Sequence, residues 1–100
     1  MIRVARRKLD EFGRVVMPVD LTEEFEFGKE DKLNLQVVED AVFLRKMSEY
    51  QDGYNDIQLD ELGRIRIPKE LLDEMGCERN CVIGIYVVDK FTIGFKLEKQ

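Results

Sequence analysis

Four cationic side chains lie within the first eight residues, while the rest of the chain is strongly acidic. They are Arg3, Arg6, Arg7 and Lys8. Guanidinium and ammonium groups attract phosphate, and a basic arm can reach DNA even when the protein as a whole is acidic. The alternative is a solvated, frayed terminus. We take a DNA-contacting arm as the working hypothesis.

The sequence offers little for catalysis or for metal binding. It contains no histidine, which removes the commonest general base and the commonest metal ligand. Its two cysteines, Cys77 and Cys81, flank a short turn and cannot alone complete a tetrahedral zinc site. We expect them to be small core side chains, with metal binding or redox sensing as the alternatives. We therefore predict no enzymatic activity and no cofactor.

Length and charge limit the class of protein further. One hundred residues, 44% of them hydrophobic, allow one compact domain or two very small units that share a core. A net charge of −5 argues against a broadly basic nucleic-acid coat and against a membrane-surface protein. The chain has neither an apolar run of about 18 residues nor a signal-like start. These features predict a cytoplasmic protein with no membrane partner.

The two halves of the chain are copies of one unit. At an offset of fifty positions, 8–18 aligns with 58–68, and eleven of the fifty aligned positions are identical. Chance would give about three identities. A fifty-residue unit buries only part of its apolar surface alone, so the copies 1–50 and 51–100 should pack together as a pseudo-twofold pair.

The sequence predicts the same order of elements in each copy, β-β-α-β-β. A strand is followed by an Asp-Glu-x-Gly turn, a second strand, a proline that opens a short helix, and an apolar hairpin. Gly76 is placed to end the second helix, whereas Glu26 occupies that position in the first copy. A polar stretch over 47–55 is predicted to connect the copies. The aromatic residues expected in the core are Phe25, Phe27, Phe43, Phe91 and Phe95.

The motif Leu-Asp-Glu-Leu-Gly-Arg-Ile-x-Ile-Pro-x-Glu-Leu, followed by a short helix, a glycine and a hairpin, resembles the SpoVT/AbrB family of bacterial transition-state regulators. The resemblance is specific over 8–21 and 58–76, and element order extends it across nearly the whole chain. It implies a mainly β fold with two short helices, in which two copies interlace as a swapped-hairpin barrel. The family normally draws those copies from two chains, whereas this sequence carries both.

Most members of this family bind DNA through arginines on one face of the barrel. The family arginine that precedes the Gly-Arg arginine by seven residues is Arg7 in the first copy and Ile57 in the second. The Gly-Arg arginine itself is present in both copies, as Arg14 and Arg64. The two helix arginines of the family are replaced by Thr22 and Glu23 in one copy and by Leu72 and Asp73 in the other.

These features predict a prokaryotic DNA-binding transcription regulator, acting as a monomeric pseudo-dimer or a dimer of pseudo-dimers. The expected DNA contacts are Arg3, Arg6, Arg7, Lys8, Arg14, Arg64 and Arg66. The alternative is a protein-interaction module, either antitoxin-like or a modulator of another regulator, which the negative charge and the acidic helix positions favour. For Arg14 and Arg64 a structural role is also open, because each could pair with the carboxylate of its own turn.

Overall fold

The fold is mainly β with two short helices, as the sequence predicts. The structure, a computed structural model, describes residues 1–47, 49, 52–78 and 80–98. Within these ranges the elements follow one another as β1 (Ile2–Lys8), β2 (Arg14–Val16), α1 (Val19–Glu24), β3 (Leu33–Val38), β4 (Ala41–Lys46), β5 (Tyr54–Ile57), β6 (Arg64–Arg66), α2 (Lys69–Met75), β7 (Val82–Asp89) and β8 (Thr92–Leu97). Each half of the chain therefore has the same order of elements.

The strands of the two halves pair with each other rather than within each half alone. One sheet has six strands in the order β1-β7-β8-β4-β3-β5, and β2 pairs with β6 in a separate two-stranded ribbon. The antiparallel pairs β1–β7, β4–β8, β5–β3 and β2–β6 all join the first half to the second. Strands β1 and β5 are the two edges of the larger sheet. The sheet is not closed into a barrel, so that detail of the predicted fold is not confirmed.

The core lies between one face of the six-stranded sheet and the buried face of the ribbon. Val15 and Ile65, which are opposite each other in the ribbon, are both 0% exposed. They belong to one cluster with the alternate residues of the larger sheet, and burial of each large side chain stabilises the fold by about 1.5–3 kcal/mol. The fully buried members from that sheet are Leu33, Leu35, Val42, Leu44, Ile83, Ile85, Ile93 and Phe95.

The two helices end in the same backbone conformation despite different residues. Gly76 follows α2 with φ of 76°, in the left-handed region that glycine adopts at little cost. At the equivalent position after α1, Glu26 has φ of 56°. The fold therefore imposes the same helix stop on both copies, and the first copy carries the steric penalty of a non-glycine residue.

Two details of the sequence-based expectation need correction. Phe91 is 74% exposed rather than buried, because Asp89 Oδ1 accepts a hydrogen bond from the Phe91 amide at 2.8 Å and places it in the turn of the last hairpin. The connection expected over 47–55 includes residues 48, 50 and 51, which lie outside the described residues, and β5 already begins at Tyr54. Neither helix in the described ranges has the length and apolar character that crossing a membrane requires.

Candidate nucleic-acid interface

The outward face of the two-stranded ribbon brings three arginines together. In the antiparallel register Arg14 lies opposite Arg66, and Val16 lies opposite Arg64. Directly opposite residues share a face, and residues two apart along a strand do so as well, so these four side chains lie on one side. Val15 and Ile65 occupy the other side and anchor the ribbon in the core. We call Arg14, Arg64 and Arg66 the arginine face.

The ribbon is extended at both ends by hydrogen bonds between the two copies. Ile67 donates its amide to the Gly13 carbonyl at 2.9 Å, and Met17 donates to the Gly63 carbonyl at 3.0 Å. The turn that precedes each ribbon strand is thus tied to the strand of the other copy. Because both Gly-Arg arginines directly follow these turns, the inter-copy pairing sets their relative positions.

An aspartate in each turn fixes the arginine that follows it. Asp10 Oδ1 accepts the amides of Phe12 and Arg14 at 2.9 Å each, and Asp10 Oδ2 accepts Arg14 Nε at 2.6 Å. The second copy repeats this arrangement, with Asp60 Oδ2 accepting Arg64 Nε at 2.6 Å. The ion pair that the sequence left open is therefore present in both copies.

The pKa values of the two aspartates reflect this environment. For Asp10, partial burial opposes the charged form, but hydrogen bonds from the Arg14 amide, the Arg14 guanidinium and the Phe12 amide outweigh it and hold the pKa below its ordinary value. For Asp60, the Arg64 amide is the largest influence on the pKa, and with the guanidinium it overcomes the opposing effect of burial. Both carboxylates are therefore ionised at neutral pH and hold their arginines by charge as well as by geometry.

These ion pairs leave the ends of the guanidinium groups available. Each aspartate engages Nε, and within the described residues neither terminal nitrogen of Arg14 or Arg64 has a hydrogen-bond partner. Their side chains are 31% and 23% exposed. The Arg14 guanidinium also lies 5.0 Å from the centre of the Phe12 ring, which further restricts its orientation. The terminal nitrogens can contact a phosphate or a base edge without breaking the internal pair.

The basic cluster at the N-terminus is neither a free arm nor a frayed end, because it forms the edge strand β1. Arg7 lies opposite the buried Ile83, so it is on the face of the sheet that packs toward the ribbon, and it is half-buried. Its Nη1 donates to the Arg6 carbonyl at 2.8 Å. Of the four predicted N-terminal cations, Arg7 is the one whose side chain lies on the face of the sheet toward the ribbon.

The other three N-terminal cations lie on the opposite face of the sheet. Arg3, Arg6 and Lys8 pair with Tyr86, Gly84 and Val82, which alternate with the buried residues of β7. Arg3 Nη1 also forms a 2.6 Å ion pair with Glu98, which raises the arginine's pKa. Of the seven residues predicted to contact DNA, these three thus lie on the sheet face opposite to that of Arg7.

The helix positions that hold arginine in the resembled family take different roles. Leu72 packs near the first copy's turn, since a Cβ added to Gly13 would lie 3.1 Å from Leu72 Cδ1. Thr22, its counterpart, donates its hydroxyl to the Val19 carbonyl at 2.9 Å. Glu23 and Asp73 are exposed, and Asp73 Oδ2 forms an ion pair with Lys69 Nζ at 3.3 Å.

The cysteines form a disulfide, which the sequence did not predict. Cys77 and Cys81 have Cα atoms 5.7 Å apart, within the range that a disulfide spans. Cys77 is also buried as expected, at 7% exposure, so core packing and covalent pairing are both present. Their four-residue separation across a turn was the available signal, but spacing alone does not reveal whether two sulfur atoms meet.

A cleft of about 920 Å³ lies beside this disulfide, between the first copy's turn and α2. Leu9, Phe12 and Leu72 give it apolar walls. Its lining contains more acidic than basic residues: Asp10, Glu11, Asp56, Glu70, Asp73 and Glu78 against Arg66 and Lys69. The cleft therefore has apolar walls bordered by acidic side chains, and it lies next to the arginine face.

Comparison with known proteins supports the fold. No protein-family model and no curated protein matches the chain. The solution structure of PHS018 from Pyrococcus horikoshii is similar to it, with a TM-score of 0.51 and 15% sequence identity, over 100% of this chain and 98% of that chain. At this identity the likeness concerns the fold alone.

Proposed function

We propose that this protein is a DNA-binding transcription regulator of the SpoVT/AbrB type. The observation that carries the proposal is the register of the β2–β6 ribbon, which sets Arg14 opposite Arg66 and adds Arg64 on the same outward face. Arginine is well suited to phosphate oxygens and to guanine edges because its planar group offers several donors in a fixed geometry. A two-stranded ribbon also has the dimensions that enter a major groove.

Preorganisation strengthens this proposal. A flexible arginine loses side-chain entropy when it binds, whereas Asp10 and Asp60 already hold Arg14 and Arg64 through Nε at 2.6 Å. The aspartates lower the net positive charge of the face, so its affinity for phosphate should be modest. Few base-reading side chains accompany these arginines, so selectivity would come largely from DNA shape.

The proposal includes the finer architecture that the family implies, a swapped-hairpin barrel formed by two copies in one chain. Its support is the crosswise pairing of β1 with β7 and of β5 with β3, which gives the first strand of each copy a partner in the other. Barrel closure requires contact between the two edge strands, β1 and β5.

DNA binding at low salt tests the proposal. A labelled random-sequence duplex and a promoter library should raise fluorescence anisotropy when titrated with the protein. Arg14→Ala with Arg64→Ala should remove most of this binding, because two of the three guanidinium groups of the arginine face are lost. Arg6→Ala with Lys8→Ala removes the same amount of charge from the sheet face that points away from the ribbon, and this variant should still bind DNA. Absence of wild-type binding to either DNA sample would refute the proposed function.

The cleft favours a second candidate, a protein-interaction module. Its acidic lining and apolar walls are complementary to a partner segment in which basic and apolar side chains alternate. Within the described residues Glu11 and Glu78 have no ion-pair partner and could receive such cations. A capped Arg-Leu repeat peptide should bind, and Glu11→Gln with Glu78→Gln should weaken it; equal binding of a Glu-Leu peptide would exclude this candidate.

A further inference from the structure

The loop after each helix is closed differently in the two copies. After α2, the Cys77–Cys81 disulfide joins the two ends of the loop. The equivalent positions in the first copy are Phe27 and Asp31, and there the Gly28 amide donates to Asp31 Oδ2 at 2.7 Å. One copy thus uses a covalent bond that thiols can break, and the other uses a hydrogen bond that they cannot.

The disulfide loop is in direct contact with the turn that holds Arg14. The Leu9 amide, immediately before that turn, donates to the Cys81 carbonyl at 3.0 Å. The Cys77 amide donates to the Leu72 carbonyl at 2.9 Å, and the Leu72 side chain lies close to Gly13. The Cys81 end of the loop therefore bonds directly to the residue before this turn, and the Cys77 end follows the helix whose Leu72 side chain lies beside it.

The turn that holds Arg64 has the matching helix-end bond, from the Phe27 amide to the Thr22 carbonyl at 2.9 Å, but within the described residues it has no counterpart of the Leu9–Cys81 bond. A Cβ added to Gly63 would find no atom within 4 Å, whereas one added to Gly13 would meet two atoms at 3.1 Å. The Leu59 amide makes no backbone hydrogen bond to the loop over 27–31; instead Gln58 Nε2 donates to the Glu30 carbonyl at a long 3.4 Å. The covalent loop therefore supports one of the two turns.

We infer that Cys77–Cys81 is a reversible thiol–disulfide modification site that controls the Arg14 half of the arginine face. Its effect on DNA affinity rests on the proposed function, while its effect on the turn does not. Oxidised, the loop holds the Cys81 carbonyl against the Leu9 amide, and the 10–13 turn presents Arg14. Reduced, the loop is free to open and the turn loses that support, while the Arg64 turn is unaffected.

The reaction is a two-electron exchange with a thiol reductant. Cys81 is half-buried, more accessible than Cys77, so the thiolate of a dithiol attacks the Cys81 sulfur and forms a mixed disulfide. The S–S bond breaks, and Cys77 leaves as a thiolate and takes a proton. The second thiol of the reductant then forms an intramolecular disulfide, releases Cys81 as a thiol and leaves the reductant oxidised. An oxidised dithiol reverses the sequence.

Amide hydrogen exchange tests the structural part without DNA. On addition of dithiothreitol, the Leu9 amide should exchange about tenfold faster, because its acceptor lies on the opened loop. The Leu59 amide in the other copy is the matched control and should change much less. An unchanged Leu9 amide would overturn the inference, and so would an equal acceleration at Leu9 and Leu59, which would report a uniform loss of stability.

DNA titration then tests the consequence. Reduction should weaken wild-type binding by about three- to tenfold, no more than the loss of one phosphate contact. Arg14→Ala should bind equally in both redox states, and Arg64→Ala should keep the redox difference. A redox difference that persists in Arg14→Ala would overturn the assignment to that half. If no DNA binds in either state, the proposed function fails, and the exchange data alone decide the modification site.

Cysteine variants separate reduction from other effects of the reductant. Cys77→Ala with Cys81→Ala should resemble the reduced protein with and without dithiothreitol. Cys77→Ala with Cys81→Asp copies the hydrogen-bonded closure of the first copy and should restore slow Leu9 exchange that dithiothreitol does not change. If the Leu9 amide of either double variant still responded to dithiothreitol, the disulfide could not be its cause.

Discussion

The salt dependence of DNA binding distinguishes contacts by the arginine face and Arg7 from contacts by all seven cations predicted from the sequence. Each phosphate contact contributes a slope of about −0.9 to the logarithm of affinity against the logarithm of salt concentration. Arg7, on the face of the sheet toward the ribbon, and the three residues of the arginine face are the four cations that we expect to contact DNA. If all four bind phosphates, the slope is about −3.6, and affinity falls about 150-fold between 50 and 200 mM salt. Seven contacts would give a slope near −6.3 and a fall of about 6,000-fold.

Single substitutions refine this test. Arg14→Ala should reduce the magnitude of the slope to about 2.7, because one counterion-releasing contact is removed. Arg6→Ala removes an equal charge from the outer face of the sheet and should leave the slope near its wild-type value. The assay is fluorescence anisotropy of a labelled duplex titrated at several KCl concentrations, with circular dichroism to verify that each variant is folded.

Two results would refute the reasoning. A wild-type slope near −6 would mean that the outer-face cations also contact DNA, contrary to the division that the register of β1 imposes. Equal changes of slope in Arg6→Ala and Arg14→Ala would mean that total charge, rather than the arginine face, determines binding.

Three further predictions concern stability. Glu26→Gly should stabilise the protein by about 1 kcal/mol, or about 5 °C in thermal denaturation, because it relieves a left-handed residue at φ of 56°. Asp10 and Asp60 have lowered pKa values in the folded state, so their stabilisation is present above the unfolded-state pKa near 3.9 and is lost as pH falls through their folded values. Urea denaturation across pH 2–7 should show this loss. Replacing both aspartates by asparagine should make the free energy of unfolding depend less on pH over this range. Gly13→Ala should lower the urea midpoint more than Gly63→Ala, because its Cβ would meet two atoms at 3.1 Å and the other none.

Much of the local structure could be predicted because short-range patterns specify it. The Asp-Glu-x-Gly turns, the prolines before both helices and the alternating apolar residues of the hairpins each act over a few residues. The glycine stop after α2 was also predictable, whereas the same conformation at Glu26 was not, since glutamate has no local preference for it. The placement of Phe91 failed for a related reason, because an aspartate two residues earlier extended the turn to include it.

The candidate site was predictable in residue type but not in grouping. Arg14, Arg64 and Arg66 could be chosen from the motif, and pairing of the first two with their own aspartates was one of two open roles. Sequence separation gave no indication that Arg14 lies opposite Arg66, because strand register is set by partners about fifty residues away. The bulge between Arg3 and Ala5 similarly decides which cations of β1 share a face.

The sequence by itself determined a repeated β-β-α-β-β pattern, its turns and helix boundaries, and two copies of an arginine that follows an Asp-Glu-x-Gly turn. These features depend on local backbone preferences and on periodicity, which are written within a few residues. Only the tertiary structure decided which strands pair across the copies. It also decided that the side chains of Arg6 and Arg7 lie on opposite faces of the sheet, and that Cys77 forms a disulfide with Cys81. Such contacts depend on the packing of distant segments into one core, where burial and register select one arrangement among many that the local pattern permits.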